Sequence, residues 1–329
     1  FWLRLKHSLH TYFITTFPIE ITLSATKISF VIITYNRADD CLELLENISQ
    51  LLYVQEMVED IVVLNNCSSQ SYKSVENFIK KNDHIPFKYI NASSNLGVAL
   101  GRNFAAELAE GDIMVFVDDD IVIRDKDILL KIVASFSPHT SATREIGVSC
   151  FKVLYHSNGQ MQQTAFPHKD FNKYKNSSSL ITYYYVGCAH AFKKNVWKIA
   201  GNYPGNFFYG MEEYDLGFRV LNAGYAIQYD ASVVMLHKES PLGRKTKAES
   251  LKMFWINKSK VAWKYLPKQY FYSTALLWSM EYLMKSRFNL AHFFPAVMQI
   301  IRIPFSEKRT PLSKATLQYL KQVNARLWY

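Results

Sequence analysis

The chain has 329 residues, of which 49% are apolar and 15% aromatic, so it can bury a substantial core and is not a disordered segment. Its net charge of +10 is uneven, because residues 241–329 hold 16 Lys and Arg against three acids while the preceding 240 hold 22 against 25. No uncharged apolar stretch reaches 18 residues, which argues against a membrane-spanning helix. The four cysteines are widely spaced and form no zinc-type cluster, so we expect them to be reduced, as in a cytosolic protein.

The first part of the chain repeats a pattern of strand, polar loop and helix. Short strands rich in β-branched residues are predicted at 28–33, 61–64, 87–90 and 113–117. This alternation predicts a mainly parallel sheet with right-handed crossovers and helices on both faces. The carboxyl ends of parallel strands meet at one edge, where ligands bind. We therefore expect four polar loops to gather there, at 34–37, 65–69, 95–97 and 118–120.

The strand predicted at 113–117 leads directly into three carboxylates, Asp118, Asp119 and Asp120. Adjacent carboxylates repel one another and are costly near an apolar layer unless a cation or hydrogen-bond donors neutralise them. Mg²⁺ is commonly shared between one or two carboxylates and the phosphates of a substrate. The alternative interpretation is a solvated acidic turn.

Other loop residues have chemistry suited to a nucleotide. Asn65 can pair with a base edge, Asn95 and Arg102 can reach ribose or diphosphate, and Gly97 allows close backbone approach at a helix start. Each residue also has an ordinary explanation: a turn, a helix entry or a solvated helix position. No Gly-x-Gly-x-x-Gly follows the first strand, which argues against a dinucleotide-binding Rossmann domain.

Seven segments of the sequence form a pattern in a fixed order. In chain order they are ISFVIITYNR (28–37), IVVLNNCSS (61–69), NLGVALGRN (95–103), FVDDD (116–120), VGCA (186–189), FFYGMEEYDLGFR (207–219) with AGY (223–225), and VVMLHKES (233–240). Together they resemble the family-two inverting glycosyltransferases of the GT-A fold, of the rhamnosyltransferase-like, non-processive kind. The Gln-x-x-Arg-Trp element of processive synthases is absent from the sequence.

The resemblance implies an α/β GT-A domain at 27–240, with a Rossmann-like nucleotide-sugar half at 27–120 and a mixed-sheet acceptor half at 121–240. Residues 1–26 would form an N-terminal extension with no assigned role, and residues 241–329 would form a helical appendage. Asp118 would lie near the donor ribose, and Asp120 would bind Mn²⁺ or Mg²⁺ on the diphosphate. The other residues expected on the donor side are Thr34, Tyr35, Arg37, Asn65, Asn95, Gly97, Arg102 and Asp119. Gly187, Glu212 and Asp215 are expected on the acceptor side.

The same resemblance makes Glu213 the general base. The family often has Glu-Asp where Glu212 and Glu213 stand, and usually has Asp at the position of Asn65, so this sequence departs from the pattern twice. Independently of the family, displacement of a nucleoside diphosphate needs a base that accepts the acceptor proton. A helix starting near Glu212 places the acids in its first turn, where they also complement the helix dipole, which is the alternative explanation.

His237 follows a strand predicted at 232–236, and its imidazole has two interpretations. It is either a metal ligand or diphosphate donor, or a structural histidine at a strand end.

The tail from about 248 interleaves aromatic residues with lysines, and helical patterns there are expected to stop at Pro267, Pro295 and Pro304. Basic residues with apolar faces suit interfacial helices on an anionic membrane. Nucleic acid is a competing partner by charge alone, but the apolar character favours the membrane, and we expect no nucleic acid. A helical cap on the core is a third interpretation.

Two classes of function remain. The first is a glycosyltransferase that takes a nucleoside-diphosphate-sugar donor and a glycan or lipid-linked acceptor in polysaccharide biosynthesis. It would be cytoplasmic and peripheral to the inner face of the cell membrane. The second is a related catalyst on a protein or peptide acceptor, or a non-catalytic nucleotide-sugar-binding module.

Overall fold

The computed structural model describes residues 26–137, 143–240, 242 and 246–327. The expected N-terminal extension therefore lies outside the described residues, apart from residue 26.

Strands and helices alternate through the first part of the described chain, as the hydrophobic periodicity predicts. The elements are β1 (Ile28–Thr34), α1 (Ala38–Ser49), α2 (Val54–Met57), β2 (Val58–Asn65), α3 (Lys73–Lys81), β3 (Phe87–Asn91), α4 (Gly97–Glu107) and β4 (Ile113–Asp118). Each of β1, β2 and β3 is followed by a loop and at least one helix that returns the chain to the start of another parallel strand, which is the geometry that short β-branched runs between amphipathic helices favour.

The second part is more irregular. Its elements are β5 (Ile121–Val122), α5 (Ile128–Ala134), β6 (Ile146–Tyr155), a 3-10 turn (Gln163–Ala165), α6 (Phe171–Tyr174), β7 (Ser179–Thr182), β8 (Ala189–Lys193), α7 (Lys194–Ala200), α8 (Glu212–Asn222) and β9 (Ala226–His237). The helix predicted to begin near Glu212 is α8.

The nine strands of the described residues form a sheet that joins both parts, in the order β3-β2-β1-β4-β8-β6-β9-β5, with β7 paired to β9. The strands β3, β2, β1 and β4 are parallel, β8 is antiparallel to both β4 and β6, and β6 is parallel to β9. The predicted parallel half and mixed half are therefore both confirmed. Strand direction therefore reverses between β4 and β8. This reversal opens a crevice beside the carboxyl end of β4, next to Asp118, Asp119 and Asp120.

Both faces of the sheet are covered. Along β1, Val31 packs into one hydrophobic cluster, whereas Phe30 and Ile32 pack into the other, because successive side chains of a strand point to opposite faces. This burial on both faces explains why the parallel strands appear in the sequence as nearly continuous apolar runs.

Within the described part of the chain, four helices follow the sheet: α9 (Lys247–Tyr265), α10 (Lys268–Lys285), α11 (Leu290–Ser306) and α12 (Lys314–Gln322). A capping box starts α9, since Thr246 accepts from the backbone of Glu249 and the Glu249 carboxylate accepts from the backbone of Thr246. Buried residues of α9, including Trp255 and Val261, belong to the same cluster as Phe116 of β4. The helix α9 is therefore part of the core, which agrees with the interpretation of the tail as a helical layer covering the core.

The prediction of helix breaks at three prolines is right once and wrong twice. Pro267 is the N-cap of α10, but Pro295 and Pro304 both lie inside α11. Each proline removes one intrahelical hydrogen bond. Packing of α11 on α9, with Phe293 stacked on Trp255, and burial of Ala296, Ile300 and Ile303 offset this loss. Among the described residues, no helix is both long and apolar enough to cross a membrane.

Candidate active site

A cleft of about 970 Å³ lies at the carboxyl edge of the sheet and is closed on its far side by the loop before α8 and by α9. It brings together 13 of the residues singled out from the sequence. These are Thr34, Tyr35, Arg37, Asn95, Gly97, Arg102, Asp118, Asp119, Asp120, Gly187, Glu212, Glu213 and His237. The four polar loops thus meet as expected.

Two singled-out residues do not line the cleft. Asn65 donates to the Tyr89 hydroxyl at 3.1 Å and accepts from the Ser68 backbone at 3.0 Å, which is the turn-forming alternative. Asp215 is buried and accepts from Arg219 at 3.1 Å and from Lys264 of α9. Asp215 therefore joins α8 to the helical tail.

The loop into α4 is shaped by asparagine side chains. Asn66 donates to the Gly97 carbonyl at 3.2 Å and accepts from the Leu96 backbone at 2.9 Å, and Asn95 accepts from the Gly97 backbone at 2.8 Å. Gly97 has φ +74°, and a Cβ there would meet Phe208 at 2.9 Å, so glycine is required both by the backbone and by the space available.

The carboxylates after β4 differ in their surroundings. Arg37 donates to Asp119 at 2.8 Å, and its guanidinium also lies 3.3 Å from Asp120. Burial outweighs this cation at Asp119 and raises the pKa of that carboxyl to about 7. Asp120 is equally buried, yet His237 and Arg37 beside it lower its pKa.

Asp118, Asp120 and His237 fit a divalent cation. One ligand atom from each lies within 4.8 Å of the other two. Nε2 of His237 is 3.2 Å from Oδ1 of Asp120, and no hydrogen bond of ordinary geometry reaches that carboxylate oxygen from the described residues. Burial lowers the pKa of His237, but its interactions with Asp120 and the Cys188 thiol outweigh burial and raise the pKa to about 11. Two carboxylates and an imidazole are a donor set that suits a divalent cation.

A side chain that the sequence analysis did not single out orients this imidazole. Gln162 donates from Nε2 to Glu239 at 2.8 Å, so its Oε1 is left to accept from Nδ1–H of His237 at 2.9 Å. Metal-binding histidines are usually held in this way by their second ring nitrogen. The hydrogen bonds therefore point Nε2 of His237 toward Asp120.

Arg102 links the two halves of the cleft. It is buried and donates to Asp118 and to the Gly187 carbonyl, both at 2.8 Å. Its other terminal nitrogen lies 3.5 Å from Glu213 and 3.9 Å from Glu212. The solvated-helix explanation of Arg102 is therefore wrong, because one cation serves three carboxylates from opposite sides of the cleft.

Glu212 and Glu213 occupy the first turn of α8, directly after Met211, whose φ is +72°. Burial raises the pKa of both carboxyls, while Arg102 and the N-terminal end of the helix oppose that shift. Glu213 keeps 17% of its side chain exposed against 3% for Glu212. Only Glu213 is thus accessible enough to contact a ligand, although both acids also complement the helix dipole.

Several aromatic side chains complete the cleft: Tyr184, Tyr185, Phe208, Tyr209 and Phe254. None of these aromatic residues was singled out from the sequence as a site residue, although the run Tyr183-Tyr184-Tyr185 just before Gly187 could have indicated part of this wall. The contribution of α9 had no local signal. Asn257 of α9 donates to the carbonyl oxygens of Tyr209 and Gly210 at 3.1 and 3.0 Å, which fixes the loop that leads into α8.

A mixed sheet with a carboxylate-lined cleft at its carboxyl edge defines the fold class as GT-A, and its structural neighbours agree. A mannosyltransferase from Pyrobaculum calidifontis, PcManGT, solved with GDP-Man and Mn²⁺, has a TM-score of 0.54 at 17% identity, over 90% of this chain and 79% of that one. Residues 1–349 of S. aureus TarS, solved in complex with UDP-GlcNAc, have a TM-score of 0.55 at 15% identity. The match covers 91% of this chain and 88% of the TarS chain.

The chain belongs to glycosyl transferase family 2, whose model matches residues 29–199. An uncharacterized protein of Haemophilus influenzae is 28% identical over 183 residues, which are 56% of this chain and 96% of that protein. The protein is therefore a glycosyltransferase, and the resemblance seen in its motifs is confirmed at the level of family and fold.

Proposed function

We propose that the protein transfers one sugar at a time from a nucleoside diphosphate sugar to a hydroxyl of a glycan or lipid-linked acceptor, with inversion at the anomeric carbon, like a rhamnosyltransferase. One observation carries the proposal: the buried Arg102 contacts Asp118 and Glu213 within the same cleft. A donor held by the first carboxylate would thus lie within reach of the second.

On the donor side, Asp118 would contact the ribose, and Asp120 with His237 would hold Mn²⁺ or Mg²⁺. The cation supplies charge stabilisation for the departing diphosphate. Gly97 and Arg102 would contact the diphosphate, with Thr34, Tyr35, Arg37, Asn95 and Asp119 around the nucleotide. Donors with guanine and donors with uracil are both candidates, since one similar structure holds GDP-Man and the other holds UDP-GlcNAc.

On the acceptor side, Glu213 would accept the proton of the attacking hydroxyl. Burial raises the pKa of Glu213, and a carboxylate with a raised pKa is a stronger base than an ordinary one. One base and one in-line displacement leave no covalent intermediate, so the configuration of the product should be inverted. Gly187 and Glu212 would hold Glu213 in place.

The aromatic wall of the cleft supports a sugar-containing acceptor, since apolar sugar faces pack on aromatic rings. We place the reaction at the inner face of the cell membrane, where lipid-linked acceptors of polysaccharide biosynthesis are available. A protein acceptor and a binding module without catalysis are the competing possibilities.

The test starts with thermal unfolding of the whole chain against GDP, UDP, GDP-mannose and UDP-GlcNAc, each with and without Mn²⁺. We expect one nucleotide class to raise Tm, and Mn²⁺ to enlarge that shift. Incubation of the protein with the matching sugar nucleotide and with lipid-linked or free glycans should then release nucleoside diphosphate. NMR of the product should show an anomeric configuration inverted relative to that of the donor. Nucleotide binding without any transfer or donor hydrolysis would identify a binding module instead, and a retained anomer would refute the single displacement.

A further inference from the structure

The helices α10 and α11 form the outer layer of the tail. Both pack against α9. The rings of Phe271 and Tyr282 on α10 lie against Trp263 and Trp255 of α9, and the ring of Phe293 on α11 also stacks on Trp255. The opposite sides of both helices point away from the rest of the described protein.

Those outward sides are apolar to an unusual degree. Among the described residues, 20 large hydrophobic side chains are exposed, and 11 of them lie between 272 and 305. They are Tyr272, Leu276, Leu277, Met280, Met284, Phe288, Leu290, Phe294, Met298, Ile301 and Phe305. Scattered exposed hydrophobic residues are ordinary, whereas a contiguous set marks an interaction site. We refer to these 11 side chains as the apolar face.

The spacing shows that each helix contributes one continuous stripe. On α10, Tyr272, Leu276, Met280 and Met284 recur every four residues, which keeps them on one side of the helix. On α11, the stripe from Leu290 to Phe305 recurs every three or four residues. Such stripes normally pack against another surface, and here each already has its other side packed on α9.

The charges around the apolar face have one sign. Exposed charged residues between 266 and 308 are all basic: Lys268, Lys285, Arg287, Arg302 and Lys308. The two acids of this segment are mostly buried in ion pairs, Glu281 with Lys285 and Glu307 with Lys260 at 3.6 Å. An apolar surface bordered by cations complements an anionic lipid bilayer.

We propose that the apolar face inserts into the interfacial layer of an anionic membrane, with α10 and α11 lying in the membrane plane. A second copy of the chain fits less well, because a two-fold contact would bring the same basic residues together without an exposed acid to neutralise them. No residue of the apolar face lines the cleft, so this inference does not depend on the proposed transfer reaction.

The position of the apolar face also relates the membrane to the active site. The helix α9 carries α10 and α11 on one side and contacts the cleft through Phe254 and Asn257 on the other. A bilayer bound to the outer helices would therefore lie at a fixed distance from the acceptor side of the cleft.

The experiment is sedimentation of the full chain with vesicles of phosphatidylcholine alone or with 30% phosphatidylglycerol, at low and high salt. Removal of the tail is not a usable test, because α9 contributes Trp255 to the core. The test variant is Leu276→Ser/Met280→Ser/Phe294→Ser/Met298→Ser, and the matched control is Leu52→Ser/Ile199→Ser, which changes exposed apolar residues elsewhere. Tm and nucleotide-induced stabilisation verify that both fold.

We expect the wild type and the control to sediment with anionic vesicles, and the test variant to lose at least tenfold in partitioning. Each basic residue near an anionic surface favours partitioning by roughly fivefold, so Lys268→Gln/Arg302→Gln/Lys308→Gln should weaken binding to anionic vesicles by on the order of 100-fold. Wild-type protein that stays in the supernatant at low salt would overturn the proposal. So would a test variant that sediments like the wild type, or a wild-type dimer that this variant dissociates in the absence of vesicles.

Discussion

Gly187 lies directly against the carboxylate of Glu213, and a Cβ at this glycine would collide with that carboxylate and approach Nη1 of Arg102 to 2.9 Å. The Gly187 carbonyl also accepts a hydrogen bond from Arg102 at 2.8 Å. A single methyl group at this position therefore tests the whole junction between the two halves of the cleft.

For Gly187→Ala we expect transfer to fall by on the order of 10²-fold, because a displacement of about 1 Å at a catalytic group can cost that much. The matched control is Gly217→Ala on α8, where the new Cβ would meet Ile227 at an ordinary 3.4 Å. The control should keep its activity and gain roughly 0.5–1 kcal/mol in free energy of unfolding. Transfer rates and urea unfolding check both variants, and full activity of Gly187→Ala would show that Glu213 needs no fixed position.

Replacement of Glu213 by Gln separates catalysis from binding. The amide keeps the size of the side chain but cannot accept the acceptor proton, so transfer should fall by about 10²- to 10⁴-fold while donor affinity is retained. Glu212→Gln is the comparison, and it should act mainly on stability, because only 3% of the Glu212 side chain is exposed. Transfer rate and calorimetric affinity for the donor nucleotide distinguish the two. If Glu213→Gln transferred sugar as fast as the wild type, the Glu213 carboxylate would serve only to complement the N-terminal end of α8.

The dependence of stability on pH tests the burial of Glu212. Burial raises its pKa in the folded protein. As pH rises above the ordinary glutamate pKa of about 4.3, the unfolded chain loses this proton before the folded chain does, so the free energy of unfolding falls.

We therefore expect Glu212→Gln to match the wild type near pH 4.5 and to become the more stable protein toward pH 8, by up to about 1.4 kcal/mol for each pH unit of the titration window. Urea unfolding at both pH values measures the difference. The exposed Glu46→Gln serves as the control and should show no such trend. Parallel stability curves for wild type and Glu212→Gln would contradict the assignment.

Gln162 is expected to control metal affinity without touching the metal, because it fixes the orientation of His237. Gln162→Leu should weaken Mn²⁺ binding by roughly 10- to 100-fold, as is typical when the partner of a metal-binding histidine is lost. Electron paramagnetic resonance of free Mn²⁺ in titrations measures this directly, with the exposed Gln160→Leu as the control. Unchanged Mn²⁺ affinity would place the cation elsewhere in the cleft. Asp120→Asn should weaken Mn²⁺ binding more strongly than either glutamine variant.

The sequence by itself determined the parallel half of the sheet and the polar edge of the cleft. These features depend on local information, since β-branched runs specify buried strands, and parallel strands bring their carboxyl ends to one edge. The three carboxylates after β4 and the acids in the first turn of α8 could be identified for the same reason. Asn65 was singled out by its position after a strand, but its side chain is used by the turn that it forms.

Only the tertiary structure decided which side chains meet. Arg102 and Glu213 are 111 positions apart, and His237 and Gln162 are 75 apart, so no local pattern could pair them. Packing also kept Pro295 and Pro304 inside α11, since burial against α9 outweighed two lost hydrogen bonds. The outward direction of the apolar face was decided in the same way. Helical periodicity shows that a stripe exists, but only the position of α9 determines which stripes remain uncovered.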